Sequence, residues 1–525
     1  MTGIPAFDRT NGEAVDVCLV VEGCYPHVAG GVSSWVDWLM RSQPDRTFAI
    51  LSVVAGPGPR KPLYDYPRNL LRLDEIVLDP APPKGRSKVP DQTDADVLIS
   101  AFCDVLSKGN GDALDRVVEF TSRKHRPLRP WHVGDTSLMW AVACGVYERV
   151  TPQAGFSDFF WAFQALAGGL VAILSAELPR ARIYHAACTG FAGLVAARAS
   201  RQHGQSCILT EHGIYTNERR IEIAMAEWIV DSIDYGLSPD DDRIDVRRFW
   251  INSFESFARI CYEACSQITT LFTDNQTLQQ ALGAAPERLR LIPNGVDLDR
   301  FTPLVASPPN GPPTVTLLGR LVPIKDIETF LEAVVLARRE VPELQAIVAG
   351  PCDEDEDYAQ RCRALARKRG IDDIVSFPGR IKAEDAFART HIVVLTSLSE
   401  GQPLSVLEAG AAGRPCVTTN AGACREILEH PLDALPDVGP GGIVVDILAP
   451  NQVADAIIAL FKDPSRRKRM GHSLRTRIEN GYTSEQAAAG YSALYAQAMN
   501  SSVSVEPAAP ERERPGDTIT QERMA

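Results

Sequence analysis

Residues 392–409 read IVVLTSLSEGQPLSVLEA. The run Ile392–Ser397 is short, apolar and β-branched, the pattern of a strand buried on both faces. Gly401 and Pro403 break it, and a helix is predicted to begin near Pro403. Open α/β sheets hold their ligands where strand ends meet helix starts. The turn Gln402-Pro403-Leu404-Ser405 therefore offers the free N–H groups of a helix start to an anion such as a diphosphate. Two carboxylates bracket it: Glu400 in the loop and Glu408 inside the helix. A carboxylate accepts two hydrogen bonds at once, which suits the hydroxyls of a sugar or ribose. Spacing alone leaves an equal reading open, a capping loop glutamate followed by a solvated helical one.

The same strand–turn–helix pattern recurs on both sides. TVTLLGR (314–320) is a strand, and the helix after it carries Ile327, Phe330, Leu331 and Val334 on one face. The turn between them, Gly319-Arg320-Leu321-Val322-Pro323-Ile324-Lys325-Asp326, holds two cations. Arg320 and Lys325 suit a diphosphate and the negative charge of a departing nucleotide; two surface cations in a turn is the plainer alternative. QAIVAG, IVSF, CVTT and IVVDI supply further strands. LVASPPNGPP (304–313) is the predicted interdomain linker. Asp353-Glu354-Asp355 reads as a solvated helix start rather than a metal site.

In the first half, Val15–Val21 is a strand, GCYPHVAGG its loop, and a helix follows from near Val32. Gly30 and Gly31 let the backbone approach a phosphate or sugar closely, although an ordinary tight turn also fits. Neither a GxGxxG fingerprint nor a GxxxxGK[ST] loop is present. RIYHAA (182–187) and SCILTEHG (206–213) are strands flanking a helix. His212 at the second strand's end is placed to bond a sugar hydroxyl, or serves structure as lone histidines often do. TNERRIE (216–222) faces an acceptor or is a solvated helix start. Residues from about 60 to 180 read as a helical elaboration. The alternation throughout gives α/β domains with parallel sheets.

At 525 residues the chain is too long for one core and suits two domains. A net charge of −13 argues against a broad nucleic-acid surface. Twelve cysteines without CxxC spacing read as reduced, buried thiols of a cytoplasmic protein, with no zinc site. The N-terminus lacks a basic-then-apolar segment, so no secretory signal is expected. Phe159–Ala176 is uncharged and nearly long enough to span a bilayer, but Gln164, Gly168 and Gly169 favour a buried helix. The run Arg123-Lys124-His125-Arg126 with Arg129 reads as solvated surface rather than a contact for anionic lipid. Residues 501–525 are almost devoid of apolar side chains and are expected to be disordered.

Together these motifs resemble glycosyltransferase family 4. The resemblance rests on Glu400 and Glu408 spaced as Glu-x7-Glu after a strand, GRLVPIK (319–325), PNGVD (293–297) and AGGVSSW (29–35). A narrower resemblance, to Pel-type exopolysaccharide glycosyltransferases, rests on VVEGCYPHVAGGVSSWV, TEHGIYTNERR, SEGQPLSVLEAGAAGRP and AGACREIL. The family's usual block is EGFG or EGLP; EGQP here matches the Pel-type members.

The resemblance implies a GT-B fold, two facing Rossmann-like domains with the active site in the cleft between them. Residues 1–305 would form the acceptor-side domain, 314–480 the nucleotide-sugar domain, and 481–500 a helix crossing back. By carry-over, Glu408 holds the ribose and Glu400 lies near the donor sugar. Arg320 and Lys325 hold the diphosphate, Gly30, Gly31 and His212 face it from the other domain, and Arg380 lies near the base. The implied activity is retaining transfer from a UDP-sugar to a growing exopolysaccharide in the cytoplasm, with no cofactor and no divalent metal. Inner-membrane components of a polysaccharide synthase are the implied partners, and nucleic acid is not. A same-fold nucleotide-sugar 2-epimerase or hydrolase and a non-catalytic synthase subunit are the alternatives.

Overall fold

The computed structural model describes residues 7–58, 60–80, 91–225, 245–307, 309–429 and 437–501. Two sheets organise them. The first contains β1 (Phe7–Asp8), β2 (Val15–Glu22), β3 (Phe48–Val54), β4 (Leu70–Val77), β5 (Ala181–Ala186), β6 (Ser206–Glu211), β7 (Gln267–Thr270) and β8 (Leu289–Leu291). Their order is β1-β4-β3-β2-β5-β6-β7-β8, with β1 antiparallel to β4 and the other pairs parallel. The second contains β9 (Thr314–Leu318), β10 (Gln345–Ala349), β11 (Val375–Gly379), β12 (Ile392–Leu395), β13 (Cys416–Thr419) and β14 (Gly442–Val445). It is parallel throughout, in the order β11-β10-β9-β12-β13-β14. These are the two parallel α/β domains of a GT-B fold.

Each sheet changes its direction of growth beside one central strand. β2 lies between β3 and β5, and β9 lies between β10 and β12. Ligands bind outside the carboxyl ends of strands at such points. The two strand-end faces meet: a Cβ on Gly401, beyond β12, would sit 2.3 Å from the carbonyl oxygen of His212, beyond β6. Glycine is therefore required at 401 by the approach of the other domain.

Residues 70–77, assigned by sequence to the elaboration, form β4 inside the first sheet. Among the described residues, the α-helices of that region are Ala95–Ser107, Gly111–Ser122, Ser137–Val150 and Phe156–Ser175. Phe156–Ser175 is long and apolar enough to cross a membrane. Its Phe159, Phe163, Leu166 and Leu170 are buried in the first domain's core, whereas Trp161 is exposed. All twelve cysteines are free thiols. The basic run is largely committed to local partners: Arg123 pairs with Asp94, Arg126 with Asp91, and Arg129 donates to the Thr121 carbonyl.

The chain passes between the domains twice, and the two passages pair. Val296 donates its N–H to the Tyr482 carbonyl at 2.9 Å, and Ser484 donates to the Val296 carbonyl at 3.1 Å. Gly295 admits this pairing, since a Cβ there would lie 2.3 Å from the Thr483 carbonyl oxygen. The predicted linker begins in a short helix, Thr302–Ala306. The helix Ser484–Ser501 returns to the first domain, where Tyr491, Leu494, Tyr495 and Ala498 pack with Val17, Leu19, Trp35 and Ile183. Ser501, expected in the tail, closes that helix; the tail from 502 onward lies outside the described residues.

Candidate active site

The SEGQP turn leads into the helix Leu404–Ala411, whose N-cap is Pro403. No side chain caps this end, so the first-turn amides of Leu404 and Ser405 are left for water or a ligand. Glu400 is nearly buried, and its Oε1 accepts from Lys325 Nζ and from Ser397 Oγ, both at 2.5 Å. Lys325 closes the short 3-10 turn Pro323–Lys325 after β9. Its carbonyl and that of Asp326 accept from Thr396 Oγ1 at 3.1 and 2.8 Å. The two turns picked out by sequence are thus tied into one unit. Arg320 is ion-paired with Glu354, Nη1 to Oε2 at 2.5 Å, both side chains about half exposed. Within the acidic triplet, Glu354 is this partner of Arg320, and Asp355 caps the helix Glu356–Lys368 by accepting from the Tyr358 N–H. Arg380 is exposed just beyond β11.

From the first domain, the helix Gly31–Arg41 starts uncapped at Gly30, whose φ of 178° is ordinary extended backbone. A Cβ on Gly30 or Gly31 would meet nothing within 4 Å. Their missing side chains leave open space rather than relieve strain. His212 packs edge-on to Trp35, ring centroids 4.7 Å apart. Burial holds its pKa down at about 4, so near neutral pH it is an uncharged hydrogen-bonding group. Its Nε2 is buried without a partner among the described residues.

A cleft of about 470 Å³ opens between the domains. Of the residues singled out by sequence, Gly31, His212, Gln402, Leu404 and Glu408 line it. Gly30, Arg320, Lys325, Arg380, Glu400, Pro403 and Ser405 do not, although Glu400 adjoins the lining residue Gly401. Gln402 has a structural task. Its buried amide accepts from the Asn294 N–H at 2.6 Å and donates to the Leu271 carbonyl at 3.3 Å. Its polar atoms therefore bind the first passage and the first domain, not the cleft. Glu408 is pushed up to about 7 by burial, against the pull of Arg300.

Sequence reasoning singled out neither Trp38 nor Arg300, and carried Trp35, Glu218 and Asp297 only within the motifs AGGVSSW, TNERRIE and PNGVD; all five line the cleft. Arg300 follows PNGVD by three residues, so that motif was the available signal. Its Nε bonds Glu384 Oε1 at 2.7 Å and its Nη1 lies 3.8 Å from Glu408 Oε1. Among the described residues no group of three or more His, Cys, Asp or Glu side chains is placed to hold a metal ion.

Residues 305–477 match the family model described as glycosyl transferases group 1. A D-inositol 3-phosphate glycosyltransferase of Pseudarthrobacter chlorophenolicus is 29% identical over 242 residues, covering 44% of this chain and 55% of that protein. An MMP alpha-(1->4)-mannosyltransferase of Mycolicibacterium hassiacum is 26% identical over 308 residues, covering 56% of this chain and 66% of that protein. A GDP-mannose-dependent alpha-(1-6)-phosphatidylinositol monomannoside mannosyltransferase of Mycobacterium tuberculosis is 30% identical over 201 residues, covering 35% and 49%. The chain thus spans about half to two thirds of the length of these relatives. Two solved structures share the fold over nearly all of both chains. Anabaena HepE, in complex with UDP and glucose, has a TM-score of 0.55 at 13% identity, covering 92% of this chain and 99% of that one. Sucrose-phosphate synthase from Thermosynechococcus elongatus has a TM-score of 0.56 at 17% identity, covering 93% and 100%. Residues 15–287, more than half of the chain, match the model described as domain of unknown function DUF3492, and the chain belongs to that family, joined here to a group 1 glycosyl transferase domain.

Proposed function

We propose that this protein is a retaining glycosyltransferase that moves a sugar from a UDP-sugar to a growing exopolysaccharide. The observation that carries this reading is the Lys325–Glu400 pair beside the uncapped start of the helix Leu404–Ala411. A cation paired with a carboxylate stands at the strand ends beside free helix-start amides and next to the cleft-lining Gly401 and Leu404, the equipment for a diphosphate joined to a sugar. The group 1 domain and the relatives named as glycosyltransferases support the reaction class. HepE, solved with UDP, supports a uridine donor through fold alone, while the GDP-mannose-dependent relative favours guanosine. The Pel-type motifs favour UDP and a polysaccharide acceptor, with partners at the cytoplasmic face of the inner membrane.

In this reading the bond between the anomeric carbon and the diphosphate breaks with its electron pair leaving on phosphate. Lys325, Arg320 and the helix amides stabilise that charge. The acceptor hydroxyl bonds the same face of the sugar, and its proton passes to the departing phosphate oxygen. Lys325 and Arg320 supply positive charge where a divalent metal would otherwise stand, and metal independence is part of the proposal. Glu400 positions the sugar and Lys325, and His212 bonds a sugar hydroxyl. Turnover of UDP- and GDP-sugars with saccharide acceptors, with and without chelator, tests the whole reading. Glu400→Ala should lose at least about 100-fold in transfer, roughly the effect of removing one well-placed polar group, while still binding nucleotide. Full transfer by that variant would overturn the role of Glu400.

A further inference from the structure

We propose that Arg300, anchored by Glu384 beside Glu408, is a positioning residue that favours the charged form of Glu408 for receiving the ribose of the donor, an inference that rests on the nucleotide-sugar reading above. Arg300 lies on the first passage between the domains and, with Glu408, lines the cleft. Glu384, on the short helix Ala383–Phe387, anchors the guanidinium at 2.7 Å. The contact to Glu408 is looser, 3.8 Å. That difference matters chemically. The short bond fixes the cation, and the long one leaves the Glu408 oxygens free to accept from ligand hydroxyls.

Glu408 is held among few charges. Arg300 from the passage favours its ionised form and Glu384 from the neighbouring helix opposes it. Asp297, Glu218 and the neutral His212 complete the titratable groups of the cleft wall. Without Arg300, Glu408 would lose the cation that favours its charge while Glu384 still opposes it, and Glu408 would take up a proton more readily. A protonated carboxyl no longer offers both oxygens as anionic acceptors to a pair of ribose hydroxyls. Because burial pushes the Glu408 carboxyl up to about 7, a change of field alters its charge at neutral pH.

The test is calorimetric titration with UDP and with GDP at several pH values between about 6 and 8.5, bracketing that titration. Wild type, Arg300→Gln and Arg300→Lys are compared. Phosphate ionisation of the nucleotide is common to all three, so displacement between profiles reports the protein. The expected result is that the Arg300→Gln profile moves to alkaline pH, while Arg300→Lys stays near normal. Binding by Arg300→Gln at pH 7 should weaken about tenfold for each pH unit the profile moves, and recover largely at pH 8.5. Should Arg300→Gln not fold, Glu384→Gln reads the same field with opposite sign and should move the profile to acid. Weakening by one constant factor at all pH values, or no change, overturns the inference while leaving the nucleotide reading intact. A wild type that binds neither nucleotide overturns both.

Discussion

Glu408 carries opposing demands. Burial raises its pKa from an ordinary 4.5 to about 7. The folded protein therefore holds more protons than the unfolded chain between those values, and stability falls as pH rises through that window. Above about 7 the burial penalty is complete; below about 4.5 it is absent. Glu408→Gln should accordingly stabilise the ligand-free protein by roughly 3 kcal/mol at pH 8 and hardly at all at pH 4, while abolishing nucleotide binding. Thermal denaturation at the two pH values checks this; an equal gain at both would mean that the carboxylate's charge is not the cause. Arg320 makes a second case. Its partner Glu354 is about half exposed, and such surface pairs contribute about 0–1 kcal/mol. An incoming diphosphate can therefore displace Glu354 readily. Glu354→Gln should tighten UDP binding by no more than about fivefold, and weaker binding would show that Glu354 supports the site instead.

Among the elements, the turn after β12 does the most. Gly401 admits the His212 carbonyl, and Gln402 reaches the Asn294 amide and the Leu271 carbonyl. EGQP is therefore an interdomain joint as much as a ligand loop. Gln402→Ala leaves the half-buried Asn294 N–H and the buried Leu271 carbonyl unpaired, expected to destabilise by about 1–3 kcal/mol in urea denaturation; a loss below about 0.5 kcal/mol would mean that water replaces the amide. The turn itself was legible because β12 and β9 are short apolar runs buried on both faces. β4 and β7 were not, for two physical reasons. β4, LLRLDEIV, lies beside the short edge strand β1 and carries Arg72, Asp74 and Glu75, so charge masks its apolar residues. β7, QITT, hides polar groups inside: Thr269 bonds Thr210 at 2.5 Å, and both are fully buried. Arg300 escaped because a passage between domains has neither helical nor strand period.

At the scale of the molecule, the helix Ser484–Ser501 joins the end of the second domain to the core of the first. Its hold is partly polar. His185, on β5, bonds Tyr495 Oη through Nδ1 and Thr210 Oγ1 through Nε2, each at 2.8 Å. Burial keeps this histidine neutral, its pKa near about 3, so one ring nitrogen donates and the other accepts. Tyr495→Phe keeps the ring among Phe48, Tyr491 and the apolar face of β2 but strands a buried nitrogen. The loss should be about 1–3 kcal/mol, and its location distinguishes two accounts. If the helix docks as its own cooperative unit, hydrogen exchange should quicken along 484–501 while β9 to β14 keep their protection. Uniform acceleration across both sheets would instead make the helix part of one folding unit. The cleft is enclosed by both domains, and its geometry would then depend on global rather than local stability.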